Sequence, residues 1–506
     1  MKKIIKYIFS DKKFCIIAAI LTIINSLLVV KLNTNLVDNH HHGILKITIP
    51  VLLSMQIIAF YLMKHMLSKN KKIENIFLLF AIIFGSFYLI TIPMSCVPDE
   101  NNHFLRSYEI STGNLISKRV KNKVGNYLPT NIEKILVADN HSVTYNQLLK
   151  KASIKYNSKT KFYTFANTSL YAFPCYIPQA LGILVGRIIN LPILLTAYLG
   201  RIFNFIVWLI LIYLSIKYIP VGKKTLFLIS LLPMTMQEAI SLAPDAMTNA
   251  IAIALVAYVL YFVYSKNKIS KKNMIVGSLL CILISLLKIV YLPLCLLVLL
   301  IPANKFKSAK DKYLKIGILA LVVIIINLIW LKISSGFLIE FQPGVNSAMQ
   351  VKYILTNPFH YIVSVFSTYE YNFIIYTLTM LGSNLEWLNV YISQPYLLIF
   401  FAFMLYVALN EKDKLMDKKV KYMFVFIITC VIMLISTSLY VQWTAVGSRE
   451  IAGIQGRYFL PILLPCLLLL KNTNMKSDIK HPEYIYYYLF SIDIFAIILF
   501  IYNHVY

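Results

Sequence analysis

The residues best suited to chemistry fall in one short run, SerCysValProAspGluAsnAsnHisPheLeuArg, residues 95–106. Within one helical turn it presents Asp99, Glu100 and His103. A carboxylate at a helix end beside an apolar wall can have its pKa raised and accept a proton from a reacting hydroxyl. ProAspGlu is also a good acidic helix start, so capping by one carboxylate and base chemistry by the other are both open. His103 lies three residues after Glu100 on the same helical face. With no HExxH and no second histidine nearby, it reads as a supporting group ahead of a metal ligand. The His40–His42 run is given little functional weight.

Other polar residues stand out against apolar surroundings. Asp245 follows AlaPro in SerLeuAlaProAspAlaMetThrAsn, with Glu238 seven residues earlier on the same helical face, and reads equally as a site acid or a helix start. Lys288 interrupts an apolar run and needs an anionic partner or a route to water. Arg457, beside Gln455 and Tyr458, has the form of an anion clamp, because a guanidinium is suited to bidentate phosphate recognition. Arg201 and Asn204 are one turn apart and face a helix-bundle interior.

These residues need a lipid-embedded scaffold. The chain has 506 residues, 59% of them hydrophobic and only 14% charged, with mean hydropathy +0.70. Soluble domains carry about 25% charged residues, and several apolar runs here are long enough to cross a bilayer. The expected fold is therefore an all-α polytopic membrane protein. A closed barrel would show alternating apolar and polar residues, which these runs do not. The net charge of +28 comes from lysines between apolar runs. The positive-inside rule explains it better than nucleic-acid binding does. The seven cysteines show no CxxC spacing and read as small hydrophobes. No P-loop, GxGxxG, GxSxG or kinase signature is present. No cofactor is named by the sequence; a divalent metal is left open.

Charge placement gives a topology of about 13 spans with a cytoplasmic N-terminus. No small-residue cleavage site follows Leu28, so the first apolar run is expected to be retained as a span. Span 3 leads outward to Asp99. The segment 170–189, with Pro174, Pro178, Gly182 and Gly186, is expected to be re-entrant or interfacial. Residues 274–303 are expected to form a tight hairpin with Lys288 near its outer tip. Residues 1–75 form an N-terminal two-span addition and residues 76–471 the main membrane domain. The main domain includes a helical outer loop 97–167 and an outer segment 334–392; residues 472–506 hold a last span.

Several motifs occur in order: ProAspGluAsnAsnHisPheLeuArgSerTyrGlu from 98, TyrIleProGlnAlaLeuGlyIle at 176–183, LeuGlyArgIlePheAsn at 199–204, LeuAlaProAspAlaMetThrAsnAla at 242–250, LeuLysIleValTyrLeuPro at 287–293 and GlnGlyArgTyrPheLeuPro at 455–461. Together they resemble a family of bacterial membrane proteins of unknown function related to the GT-C glycosyltransferases, over about 75–470. The resemblance implies a GT-C-like bundle in the bacterial cytoplasmic membrane with its active site outside. A sugar on a polyprenyl-phosphate carrier would pass to an envelope glycan or lipid acceptor. Asp99 would be the general base with Glu100 as deputy. His103, Arg106 and Asp245 would support them, and Lys288, Arg457, Tyr458 and Arg201 would hold the donor phosphate. Membrane lipids are the other expected partners; nucleic acid is not. GT-C enzymes commonly carry a soluble C-terminal domain that this sequence does not show, so the two outer segments would form the acceptor face. A lipid-linked glycan polymerase or ligase, and a glycolipid flippase or transporter, remain alternatives.

Overall fold

A computed structural model describes residues 12–33, 42–136, 143–339, 344–413, 416–471, 479 and 481–505. The chain is mostly helical, and among the described residues seven helices are long and apolar enough to cross a membrane. His40 and His41 lie outside the described residues. In chain order, α1 (Lys12–Asn33), α2 (His42–Ser68) and α3 (Ile73–Thr91) lead to α4 (Glu100–Ser111). Beyond α4 the chain forms β1 (Lys118–Val120), β2 (Lys123–Pro129), α5 (Tyr145–Lys151) and β3 (Thr160–Thr164). These three strands pair antiparallel in the order β1-β2-β3. The expectation of a wholly helical outer loop is thus corrected. Tyr127, Phe162 and Tyr163 favour strand pairing, and the β1–β2 turn is made by Lys121 at φ 55°.

The short α6 (Ala166–Ser169) precedes α7 (Ile177–Ile188) and α8 (Ile193–Tyr218). Twelve residues rise only about 18 Å, less than a hydrocarbon core of about 30 Å, so α7 by itself is shorter than a span. It packs along the first half of α8, where a Cβ on Gly182 would lie 2.4 Å from the Leu199 carbonyl. Only glycine permits that approach. Next come α9 (Lys223–Ser230), α10 (Pro233–Ala239), α11 (Asp245–Tyr264) and α12 (Lys271–Leu287).

After α12 the chain turns at Lys288 and returns as a 3-10 helix, Ile289–Leu300. The Ile269 N–H donates to the Lys305 carbonyl at 3.0 Å, closing the base of this hairpin. Seventeen α-helical residues rise about 25 Å and twelve 3-10 residues about 24 Å. The tighter helix lets the shorter arm match the longer one and holds Lys288 at the tip.

The remaining elements are α13 (Ala309–Ser335), α14 (Ser347–Thr356), α15 (Pro358–Leu381), the hairpin β4 (Asn384–Leu385)–β5 (Val390–Tyr391), α16 (Gln394–Asn410), α17 (Lys418–Gln442), α18 (Leu460–Leu469) and α19 (Pro482–Val505). Helix α19 is the most enclosed of the seven, with 89% of its apolar window buried. Ser491 on α19 accepts from Asn25, Gln56 and Tyr396, tying α1, α2 and α16 to it. Such interhelical hydrogen bonds hold helices together where lipid supplies no hydrophobic drive.

Both ends of the bundle carry basic stretches, Lys118 to Lys161 following Asp99 at one of them. At one end, Glu411 accepts from the Lys224 N–H, Asp413 from the Gly222 N–H, and the Asp417 N–H donates to Tyr264. The loops here carry Lys217, Lys223, Lys224, Lys266, Lys268, Lys271 and Lys272. Asp99 lies at the other end. There Tyr145 bonds the Thr91 carbonyl, Trp387 bonds the Ser95 carbonyl, and His504 at the end of α19 pairs with Glu386.

Candidate functional site

The site is built on the break between α3 and α4. Asp99 occupies the cap position of α4 with φ 59° and ψ 10°, in the left-handed region, and its side chain makes no cap hydrogen bond. A non-glycine residue there stores strain that the surroundings must impose, and such residues cluster at functional sites. The Asp99 carboxylate is therefore not spent on the helix start. Its Oδ1 accepts from Asn167 Nδ2 at 3.1 Å. Asp99 is also within electrostatic reach of His103, Tyr171 and Arg457.

Glu100, one residue on, has a different environment. Arg201 donates Nε to Glu100 Oε1 at 2.7 Å and Nη2 to Oε2 at 2.6 Å. Two backbone N–H groups, of Ser95 at 2.9 Å and Leu242 at 3.2 Å, donate to the same carboxylate. Arg201 also holds the Ile92 and Pro93 carbonyls at 2.7 and 2.9 Å. Both side chains are fully buried. This pair fastens the α3–α4 turn onto α8, and its hydrogen-bonding capacity is used within the protein. Arg106 likewise pairs with Glu109 and bonds Ser117 at 3.2 Å and the Leu115 carbonyl at 2.9 Å. Asn126 of β2 donates to Glu109 at 2.8 Å, so this pair docks the sheet onto α4. Glu100, Arg201 and Arg106 are thus set apart from the residues around Lys288.

Asp245, Lys288, Arg457, Tyr458 and His103 come together. Lys288 at the hairpin tip forms an ion pair with Asp245, the first residue of α11. Its ammonium lies 5.0 Å from the centre of the Tyr458 ring and 5.7 Å from that of Tyr171, within cation–π range. Arg457 sits on a 3-10 turn, Gly456–Phe459. That turn lies against α15 so closely that a Cβ on Gly456 would be 2.2 Å from the Tyr376 carbonyl. The Arg457 guanidinium carbon is 5.7 Å from the Tyr458 ring centre. Its Nε is buried without a hydrogen-bond partner, and no carboxylate among the described residues pairs with it. A guanidinium N–H in this position can donate to an anion, although Arg106 Nε is likewise without a partner.

His103 Nδ1 is 2.9 Å from the Tyr176 hydroxyl. Burial pushes its pKa down to about 4; Asp99 and Asp245 oppose the shift, and Arg457 and Lys288 add to it. The imidazole is thus neutral at pH 7, a hydrogen-bonding group that adds no positive charge to the site. Glu238 is buried nearby, with Oε1 unpartnered. It belongs to α10, whereas Asp245 opens α11, so the two are brought near each other by the turn at 240–244 and do not share a helical face. Among the described residues, no group of three or more His, Cys, Asp or Glu side chains is placed to hold a metal ion.

A cleft of about 340 Å³ opens beside Lys288. Its lining includes Asn167, Tyr171, Lys288 and Tyr458, the apolar Leu286 and Ile289 of the hairpin, Leu331 of α13 and Ile435 and Leu439 of α17, and the polar Asn327 and Ser334 of α13 and Ser438 and Gln442 of α17. Helix α13 is the most exposed of the seven candidate spans, with 11% of its window buried. Trp330 Nε1 anchors it by donating to the Leu170 carbonyl at 2.9 Å. Asp99 is not in the cleft wall; Asn167 stands between the two. Asn167 and Tyr171 were missed by the sequence reading, since nothing in PheAlaAsnThrSerLeuTyr distinguishes them from ordinary loop and interface residues; Tyr176 falls in the motif at 176–183 but was given no role.

No curated protein matches the chain, and no solved structure matches it. Residues 82–466 match the family model described as "Predicted membrane protein (DUF2142)", and the chain belongs to that family.

Proposed function

We propose that the chain is a membrane glycosyltransferase of GT-C type. It takes a sugar from a polyprenyl-phosphate carrier and transfers it to an envelope glycan or lipid acceptor on the outer face of the bacterial cytoplasmic membrane. The observation that carries this reading is the Lys288–Asp245 pair, whose lysine lines a cleft of mixed polar and apolar walls, with Arg457, whose Nε has no hydrogen-bond partner, within electrostatic reach of Asp245. A ligand that suits it has an anionic head and a hydrocarbon tail. The short basic loops at the opposite end support an outward-facing Asp99, because short lysine-rich loops stay on the cytoplasmic side, whereas the basic stretch 97–167 is long enough to escape the rule. The span count near 13 and the GT-C arrangement of the bundle belong to the same proposal.

In this reading the acceptor hydroxyl gives its proton to Asp99. Its oxygen forms a bond to the anomeric carbon as the carbon–oxygen bond to phosphate breaks, and polyprenyl phosphate leaves carrying the electron pair. Developing charge on the phosphate is met by Lys288 and Arg457, fixed before the reaction and therefore stabilising without reorganisation. Neutral His103 and the Tyr171 and Tyr458 rings shape the surroundings of Lys288. Glu100, Arg201 and Arg106 hold the scaffold.

The test is the Asp99→Asn variant in cells. The envelope glycan should lose one sugar while the variant remains in the membrane at the wild-type amount. An unchanged glycan composition would rule out the base assignment. Topology mapping that puts Asp99 in the cytoplasm would overturn the whole site.

A further inference from the structure

The geometry points to Asn167 as the positioning residue of the Asp99 carboxylate, holding its Oδ1 and leaving Oδ2 as the oxygen that meets the acceptor. This rests on the transferase reading for its purpose, though the geometry stands without it. An asparagine amide can turn either end toward a neighbour, but here two donors fix it. Asn102 Nδ2 donates to Asn167 Oδ1 at 3.0 Å, and the Thr168 N–H donates to the same oxygen at 3.0 Å. The amide Nδ2 is left facing Asp99 Oδ1, 3.1 Å away. Asp99 Oδ2 has no hydrogen-bond partner among the described residues.

The support for Asn167 is itself anchored. Thr168 Oγ1 donates to the Asn102 carbonyl at 3.2 Å, and Ser169 Oγ to Ser117 Oγ at 2.9 Å. The four-residue α6 is thereby locked to α4, on which Asn102 sits. One side of Asn167 lines the cleft and the other holds the base. That places a single side chain between an anionic lipid head in the cleft and the carboxylate that would take the acceptor proton. Misplacing a catalytic group by about 1 Å costs on the order of 10²-fold in rate, which gives this support a kinetic weight.

The charged and titratable groups within electrostatic reach of Asp99 are His103, Tyr171 and Arg457; none is altered in the test. The full chain, reconstituted in lipid nanodiscs, is treated with dicyclohexylcarbodiimide, which reacts with protonated carboxyls. The rate of Asp99 labelling at one fixed pH is followed by mass spectrometry. Asn167→Ala, which removes the donor on Oδ1 and frees the carboxyl to turn, should raise that rate several-fold. Asn102→Ala, which frees the amide to turn, should give a smaller rise. Labelling of Asn167→Ala at the wild-type rate overturns the inference. If Asn167→Ala does not fold, the near-isosteric Asn167→Leu, which also lacks the donor, decides: a wild-type rate there overturns it equally. The readout needs no sugar transfer. A raised rate in a chain that transfers no sugar would sink the transferase reading and leave the role of Asn167 standing.

Discussion

Arg201→Ala separates a scaffold from a phosphate site, because the family resemblance implies a place for Arg201 among the phosphate ligands. In the structure its guanidinium satisfies two carboxylate oxygens and two backbone carbonyls, with no exposure. Its removal leaves Glu100 as a buried charge whose remaining donors are two backbone N–H groups. Breaking a buried ion pair from one side costs about 3–5 kcal/mol, and the stranded Ile92 and Pro93 carbonyls each add about 1 kcal/mol or more. Typical stabilities are about 5–15 kcal/mol, so much of the margin would be lost. The assay is unfolding of the detergent-solubilised protein, followed by tryptophan fluorescence, beside binding of undecaprenyl phosphate to the fraction that stays folded. Arg201→Ala should melt far below wild type. The double variant Glu100→Leu/Arg201→Met should recover part of the loss, since apolar replacement of a buried pair is often neutral or stabilising. The reasoning is refuted if Arg201→Ala melts like wild type and instead fails to bind undecaprenyl phosphate.

Three further outcomes follow from the same geometry. Arg457→Ala should weaken undecaprenyl phosphate binding by about 10-fold or more, the worth of a charge-assisted contact of about 1.5–3 kcal/mol, measured by microscale thermophoresis, with the melting temperature little changed. Ile435→Trp, which fills the cleft wall, should lower binding of the long-chain lipid while sparing a short-chain phosphate. His103 has its folded pKa lowered to about 4 from an ordinary value of 6.5. The unfolded chain therefore binds the extra proton between these values; stability contributed by neutral His103 is complete above about pH 6.5 and falls as pH drops toward 4. His103→Gln should flatten that limb of the stability–pH curve, by about 3 kcal/mol at most.

Much of the site was legible because charged residues in apolar runs are costly and rarely idle. Asp99, Asp245, Lys288 and Arg457 were identified from that contrast, and the structure brings the last three together near His103. The same contrast does not tell Glu100, which the structure pairs with Arg201, from a reactive group, since a buried ion pair and a ligand-binding pair look alike until the distances are known. The extended Lys288 between an α-helix and a 3-10 helix followed from a run too long for one span. The sheet at 118–164 was hidden by its short strands and by the 30 residues between β2 and β3, a pairing that local periodicity does not reveal. Asn167 escaped because an amide in a loop carries no signal of its own; only its two donors and one acceptor give it meaning.

The most direct measurement is sugar transfer in proteoliposomes holding the full chain, a panel of undecaprenyl-phosphate-linked radiolabelled sugars and cell-envelope lipid as acceptor. Wild type should move one of these sugars to the acceptor and release undecaprenyl phosphate. Asp99→Asn should bind the same donor with unchanged affinity and transfer none of it. Transfer by Asp99→Asn at the wild-type rate, or no transfer from any polyprenyl-phosphate sugar by wild type, would contradict the assignment.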